Sequence, residues 1–141
     1  MTTDQGRWLA SLRISGEALD PEEISRLLGL KPTRTHLRGE PRGRHGKAAE
    51  LVWKNSLWSL QSPLDAGGDP AEHLNWLLDV LEPKSSLIKT LSKDYQVDLF
   101  CGFSSASGQG GFKLDATMLR RLGDLGIPLV LDLYPPGSPA G

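Results

Sequence analysis

The sequence predicts one α+β domain: a mixed β-sheet of about five strands with helices packed on one face, ferredoxin-like or a related sandwich. Several short segments alternate apolar and polar residues, as half-buried strands do. Amphipathic stretches with helix-capping residues lie between them. The length of 141 residues fits a single core. We expect this domain to span residues 1–134 and a flexible, Pro- and Gly-rich tail to cover residues 135–141.

The chain is predicted to open with a strand and a helix. Residues 8–14 alternate so that the even positions face the core, and Ser15-Gly16 is expected to end the strand. Asp20 is placed to cap the following helix, because its carboxylate can accept hydrogen bonds from the first free N–H groups. Gly29 is expected to close that helix in the left-handed conformation.

The middle of the chain is predicted to hold a hairpin and two helices. Apolar residues at 51–53 and 57–61 flank a short polar turn, which is typical of two paired strands. Asp69 repeats the capping signal, and leucines follow at helical spacing over residues 74–81. Pro83 is expected to interrupt the helix, and a shorter helical stripe follows it.

The last part of the chain is predicted to form a strand, a helix and a final strand. Residues 97–103 alternate in the strand pattern, and residues 104–111 form a loop of small residues. A helix is expected from an Asp115 cap to Gly126. Residues 127–134 are apolar enough to predict a central strand of the sheet.

The most informative feature is a cationic segment, residues 31–47, with a charge of +5 in a chain whose net charge is −1. It is too rich in Gly and Pro for a helix or a strand, so we expect a flexible loop that faces water. Such loops usually meet something anionic. The candidate binding residues are Lys31, Arg34, His36, Arg38, Arg42, Arg44 and Lys47.

The anionic counterpart of the cationic segment stays open at this point. The charge could simply balance the acidic starts of the helices, it could bind an acidic protein surface, or it could bind nucleic acid or a phosphorylated ligand. No aromatic residue lies within the segment to stack on a base. Glu40 is expected to pin the loop by an ion pair, and Trp53 could brace it.

A second candidate is a sheet-face cluster formed by Arg13, Asp98, Asp132 and Tyr134. The strand periodicity places these residues on the face opposite the helices. We expect Arg13 to lie between the two carboxylates, with Phe100 beside them. Either this is a salt bridge on a solvated face, or the face is a dimer or partner interface.

The residues that usually carry catalysis do not form a recognisable site. His36, His45 and His73 lack the spacing of converging zinc ligands, and no Gly-x-Ser-x-Gly nucleophile motif occurs. Cys101 falls on the core phase of its strand, which predicts a buried, inert thiol. We therefore expect no enzyme, no cofactor and no metal; an enzyme would have to build its site from the sheet-face cluster.

Several segments together resemble the bacterial domain-of-unknown-function family 4279. They are Arg-Ile-Ser-Gly-Glu at 13–17, Leu-Gly-Leu-Lys-Pro-Thr at 28–33, Gly-Glu at 39–40, Trp58, and Leu-Asp-Leu-Tyr at 131–134. The resemblance covers the chain from about residue 8 to residue 134. It implies a small, single-domain, non-secreted bacterial protein and brings no catalytic residues.

These observations lead to two hypotheses about function. The first is a non-enzymatic binding module, in one version an immunity-type protein, which uses the cationic segment and the adjoining sheet face to engage an acidic macromolecule. The alternative is a nucleic-acid- or nucleotide-associated regulatory protein. The N-terminal residues lack a signal peptide pattern, and no apolar stretch is long enough to span a bilayer, so we expect a cytoplasmic protein without membrane contact. A protein partner is expected, and a homodimer is compatible with the sequence.

Overall fold

Five strands form one mixed sheet in the spatial order β2-β3-β1-β4-β5. The computed structural model describes residues 6–105, 107 and 110–134. The strands are β1 Arg7–Gly16, β2 Arg34–His36, β3 Ser56–Gln61, β4 Gln96–Ser104 and β5 Leu129–Tyr134. β4 and β5 run parallel, and the other neighbouring pairs are antiparallel. The predicted mixed sheet is confirmed, whereas the tail at 135–141 lies outside the described residues.

The helices are α1 Pro21–Leu28, α2 Gly46–Glu50, α3 Pro70–Leu81, α4 Ser85–Asp94 and α5 Ala116–Leu125. The predicted caps are confirmed: the side chains of Asp20, Asp69 and Asp115 each accept a hydrogen bond from a backbone N–H of the first turn. Gly29 and Gly126 close α1 and α5 in the left-handed conformation. The interruption at Pro83 is a short 3₁₀ helix, Glu82–Lys84.

The core lies between one face of the sheet and the helices. The even positions of β1 are buried there as predicted, with Leu12 and Ile14 fully enclosed. Trp58 of β3 is also fully buried, and its indole N–H donates to Ser25 Oγ of α1 at 2.9 Å. Core packing of this kind fixes the sheet beneath the helices and leaves its other face for the candidate site.

No helix in the part of the chain that the structure describes is long and apolar enough to cross a bilayer.

The predicted end of β1 at Ser15-Gly16 is confirmed, because the strand ends at Gly16, which still pairs with Ser56 of β3. A β-carbon on Gly16 would lie 2.8 Å from Cδ1 of the Tyr95 ring, so the glycine allows an aromatic ring to approach the backbone. Glycine therefore serves close packing at the last residue of the strand.

The predicted hairpin between residues 51–53 and 57–61 is wrong. β3 pairs with β1 and β2, while residues 51–53 fold back onto residues 39–42. The N–H of Trp53 donates to the carbonyl of Glu40 at 2.9 Å. The error arose because β2 was not predicted, so β3 had no other partner on that side.

The central position predicted for the final strand is a second error, because β5 lies at the edge of the sheet. β1 already occupies the other side of β4, so the parallel crossover through α5 can only add β5 on the outside. Leu131 and Leu133, which suggested a buried strand, are 51% and 64% exposed.

Candidate binding surface

The cationic segment contains regular structure, contrary to the prediction of an irregular loop. Residues Arg34–His36 form β2, which pairs antiparallel with β3, and α2 begins at Gly46. The Gly- and Pro-rich sequence has a low propensity to form a strand. β2 forms nevertheless, because pairing with β3 satisfies its backbone hydrogen bonds, so tertiary context overrides the local propensity.

Between β2 and β3 the chain forms an arm, residues 37–53, whose two sides are hydrogen-bonded to each other. The N–H of Arg42 donates to the carbonyl of Leu51 at 2.8 Å, and the N–H of Gly43 donates to the carbonyl of Ala48 at 2.9 Å. A β-carbon on Gly43 would lie 2.6 Å from Cβ of Ala48, so the tip closes only with glycine there. The backbone of the arm is therefore held in a defined conformation.

Trp53 braces the base of the arm, as the sequence suggested. The His36 ring stacks on the indole with centroids 3.9 Å apart and planes 7° from parallel. The guanidinium carbons of Arg42 and Arg34 lie 4.6 Å and 5.7 Å from the indole centroid. Each such cation–π contact stabilises an exposed site by roughly 0.5–1 kcal/mol.

The environment of His36 favours a neutral imidazole. Partial burial against Trp53 lowers the pKa of His36 below its usual value, and the positive charge of Arg34 lowers it further. The positive charge of Arg42 also lowers the pKa of His36, whereas the carboxylate of Glu40 raises it. Nδ1 of this ring is buried without a hydrogen-bond partner among the described residues. At neutral pH the ring therefore stacks on the indole in its uncharged form.

The six Lys and Arg side chains of the cationic segment have no carboxylate within ion-pair distance in the described chain. Two other arginines are paired: Arg13 with Asp98, and Arg121 with two acidic residues of the α3 end. The predicted ion pair of Glu40 is wrong, because its carboxylate instead accepts a hydrogen bond from the backbone N–H of Leu37. The positive charge of the segment is thus left for solvent or a partner.

Exposed apolar side chains accompany these cations on the arm. Leu37, Leu51 and Val52 are 50%, 53% and 52% exposed. Sequence reasoning missed them as surface residues, because it assigned Leu51 and Val52 to a hairpin. The arm therefore presents a mixed surface of guanidinium groups and aliphatic side chains, the composition that protein interfaces favour.

The cationic segment and the sheet-face cluster lie on one continuous surface. In the strand register Arg34 lies opposite Ser59, Ser59 opposite Arg13, and Arg13 opposite Asp98. Residues directly opposite each other share a face, so these four form one row across β2, β3, β1 and β4. This row crosses the face opposite the buried side of the sheet, which we call the open face.

The sheet-face cluster forms only in part. Arg13 makes a two-pronged ion pair with Asp98, with Nε–Oδ1 at 2.8 Å and Nη2–Oδ2 at 2.9 Å, and its guanidinium carbon lies 4.3 Å from the Phe100 centroid. Asp132 and Tyr134 are on the same face but are aligned with Gly102 and Ser104, farther along β4. The prediction that Arg13 bridges Asp98 and Asp132 is therefore wrong, since among the described residues it pairs with Asp98 and not with Asp132.

His73 is a buried polar residue whose role the sequence did not indicate. Its Nδ1 lies 3.0 Å from Ser62 Oγ, and its Nε2 lies 3.0 Å from the carbonyl oxygen of Asp65. The carbonyl can only accept, so Nε2 carries the proton and Nδ1 accepts from the serine hydroxyl. This buried Ser–His pair anchors the chain before α3 and has no access to a substrate.

The remaining reactive residues lie apart from one another. His36 stacks at the base of the arm and His45 precedes α2 at its tip, while no group of three His, Cys, Asp or Glu in the described ranges could hold a metal ion. Cys101 is buried as predicted, and burial raises its thiol pKa to about 11.

Comparison with known proteins gives one result. A family model described as a domain of unknown function, DUF4279, matches residues 4–136. No curated protein and no solved structure matches the chain.

Proposed function

The chain belongs to the DUF4279 family, and on that premise we propose that it is a non-enzymatic binding module of the bacterial cytoplasm. Its arm and the adjoining open face engage an acidic macromolecule, in the first place a protein. One concrete version is an immunity-type protein that covers an acidic region around the active site of a toxin.

The observation that carries this proposal is the contrast between the arginines inside and outside the cationic segment. Arg13 and Arg121 are neutralised by carboxylates of the same chain. Arg38, Arg42 and Arg44 are exposed and have no such partner in the described chain. Guanidinium groups held in place without a local counter-ion attract anionic surfaces and form paired hydrogen bonds with carboxylates.

The surroundings of the cations favour a protein partner over nucleic acid. Exposed Leu37, Leu51 and Val52 would bury apolar area against a protein surface, whereas a phosphate backbone offers them little. The aromatic ring nearest the cations, Trp53, is already contacted by an imidazole and two guanidinium groups. It is poorly placed to stack on a base.

A pull-down from the native cytoplasm tests this proposal. The full chain is compared with Arg38→Glu/Arg42→Glu/Arg44→Glu and with a control of equal charge change, Lys89→Glu/Lys113→Glu/Arg120→Glu. The control residues are exposed and form no ion pair in the described part of the chain. We expect partners to be lost with the arm variant and kept with the control. The same partners with both variants would remove the arm as the contact.

A gel-shift series in salt separates the two classes of acidic partner. If all six cations contacted duplex phosphates, the logarithm of the affinity would fall with the logarithm of the salt concentration at a slope of about −5. We expect no shift of duplex or single-stranded DNA or RNA at low ionic strength. A shift with this steep slope, lost in the arm variant, would replace the protein partner with nucleic acid.

A further inference from the structure

We propose that a second copy of this chain pairs with the free edge of β5, antiparallel, so that the two five-stranded sheets become one. This surface is separate from the arm, which leaves the sheet next to β2 at the opposite edge. The inference therefore stands independently of the proposed function.

The two edges of the sheet differ in how they resist pairing with another chain. β2 has three residues and carries the exposed Arg34. Short length and charge are usual means of protecting an edge strand. β5 has six residues, and five of them are apolar or aromatic, with no Lys, Arg or Pro among them. β5 has the composition of a strand that is paired on both sides, but among the described residues it pairs only with β4.

The backbone of β5 presents its odd-numbered residues to the free edge. The N–H of Leu99 in β4 donates to the carbonyl of Pro128 at 2.9 Å. In a parallel ladder this places the N–H and C=O groups of even-numbered β5 residues towards β4, and those of Leu129, Leu131 and Leu133 away from it. No strand in the described ranges takes up these outward groups. Because Leu131 and Leu133 also have exposed side chains, the edge is both apolar and rich in free hydrogen-bonding groups.

One antiparallel register of two β5 strands satisfies both the backbone and the side chains. A two-fold axis through Leu131 places Leu131 opposite its own copy, Leu129 opposite Leu133, and Val130 opposite Asp132. The leucines then pack together on one face. The N–H and C=O of each Leu131 form hydrogen bonds with the C=O and N–H of the Leu131 in the other copy. Shifting the axis to Asp132 would place two carboxylates directly opposite each other, which is destabilising.

This register also identifies the partner as a second copy. An antiparallel pair of identical strands is self-complementary and closes after two subunits, the commonest symmetry of soluble oligomers. In the Leu131 register no charge faces a like charge, so the strand is complementary to itself. A different partner would have to bring an equally apolar strand of its own.

Sedimentation of the full chain from micromolar to millimolar concentration provides the first test. We expect a monomer–dimer equilibrium, and we expect Leu131→Lys to raise its dissociation constant about tenfold or more, because two ammonium groups would face each other across the axis. Leu119→Lys is the control, since Leu119 is 55% exposed on α5. A wild-type chain that stays monomeric throughout would overturn the proposal.

Disulfide trapping tests the register and does not depend on the lysine variant folding well. Opposite residues of a hydrogen-bonded antiparallel pair have Cα atoms about 5.5 Å apart, within disulfide reach. Leu131→Cys should therefore form a disulfide-linked dimer under mild oxidation, faster than Leu119→Cys or Asp132→Cys. Cys101 is buried, so we expect it to form no disulfide under these conditions. Equal rates for Leu131→Cys and Leu119→Cys would overturn the edge contact, and a faster Asp132→Cys reaction would overturn the register.

Discussion

Trp53 is the residue at which the cations of the arm meet the folded domain. Its position beside the cationic segment was visible in the sequence, so a bracing role could be predicted. Its stack with His36, 17 residues earlier in the chain, could not, because that contact requires β2 to pair with β3. Residues whose contacts are local could be assigned from sequence, and residues whose contacts depend on strand pairing could not.

His36 should titrate below its usual pKa of 6.5, because its ring is partly buried and lies beside Arg34. Between the lowered pKa of the folded chain and 6.5, the unfolded chain binds a proton that the folded chain does not. The stabilisation is therefore fully present above about pH 6.5 and is lost as the pH falls through the folded-state value. Histidine resonances followed by NMR across this range test it. A His36 pKa at or above 6.5 would contradict the described environment.

The acid sensitivity of the protein should be smaller when the imidazole is removed. In His36→Gln, the free energy of unfolding should change less between neutral and acid pH than in the wild type. Urea unfolding at several pH values measures this difference. His45→Gln, at the exposed tip of the arm, is the matched control and should leave the wild-type pH dependence in place.

His73→Phe should lower the free energy of unfolding by about 1–3 kcal/mol, since it leaves the buried Ser62 hydroxyl and the Asp65 carbonyl without their partner. Urea unfolding measures the loss. His45→Phe changes the same side chain at an exposed position and should be nearly neutral. An equal, small effect of the two substitutions would show that the buried hydrogen bonds contribute little.

At the scale of elements, helices were predicted more successfully than strands. The starts of α1, α3 and α5 follow from capping by Asp20, Asp69 and Asp115, and the ends of α1 and α5 follow from terminal glycines. All of these are local effects. β2 and the arm depend on hydrogen bonds to residues that are distant in sequence, so low local propensity concealed them.

Two glycine substitutions should have opposite effects on stability. Gly29 caps α1 at φ 66°, so Gly29→Ala should destabilise the protein by roughly 1–2 kcal/mol. Gly123 lies inside α5, and an added β-carbon there meets no atom within 4 Å. Gly123→Ala should therefore stabilise it by about 0.5–1 kcal/mol. Denaturant midpoints at constant m-value distinguish these results, and equal shifts would contradict the assigned backbone conformations.

Trp53→Ala should loosen the arm while leaving the core intact. Without the indole, His36 and Arg42 lose their stacking partner, and the arm keeps only its backbone hydrogen bonds. Amide hydrogen exchange should accelerate at Arg42 and Gly43 but remain slow in β1. Trp53→Phe retains an aromatic face and should keep most of the protection. Uniform exchange changes across the whole chain would instead indicate a role in the core.

For the whole molecule, periodicity was sufficient to predict the fold class but not the strand order. The alternation in β1 and β4 identified which side chains are buried, and the core confirms it. The position of β5 at the edge follows from β1 occupying the other side of β4, a fact that no local pattern contains. For the same reason, the sequence could not predict that Arg34 and Arg13 lie in one row across the open face.

The most direct test of the central claim is to map where an acidic macromolecule contacts the chain. Amide NMR spectra of the full chain are recorded during titration with poly-glutamate, for the wild type, Arg38→Glu/Arg42→Glu/Arg44→Glu and Lys89→Glu/Lys113→Glu/Arg120→Glu. We predict shifts confined to the arm, β2 and the Trp53 indole N–H, present in the wild type and the control and absent in the arm variant. Shifts located mainly on the helices, or unchanged in the arm variant, would contradict the account.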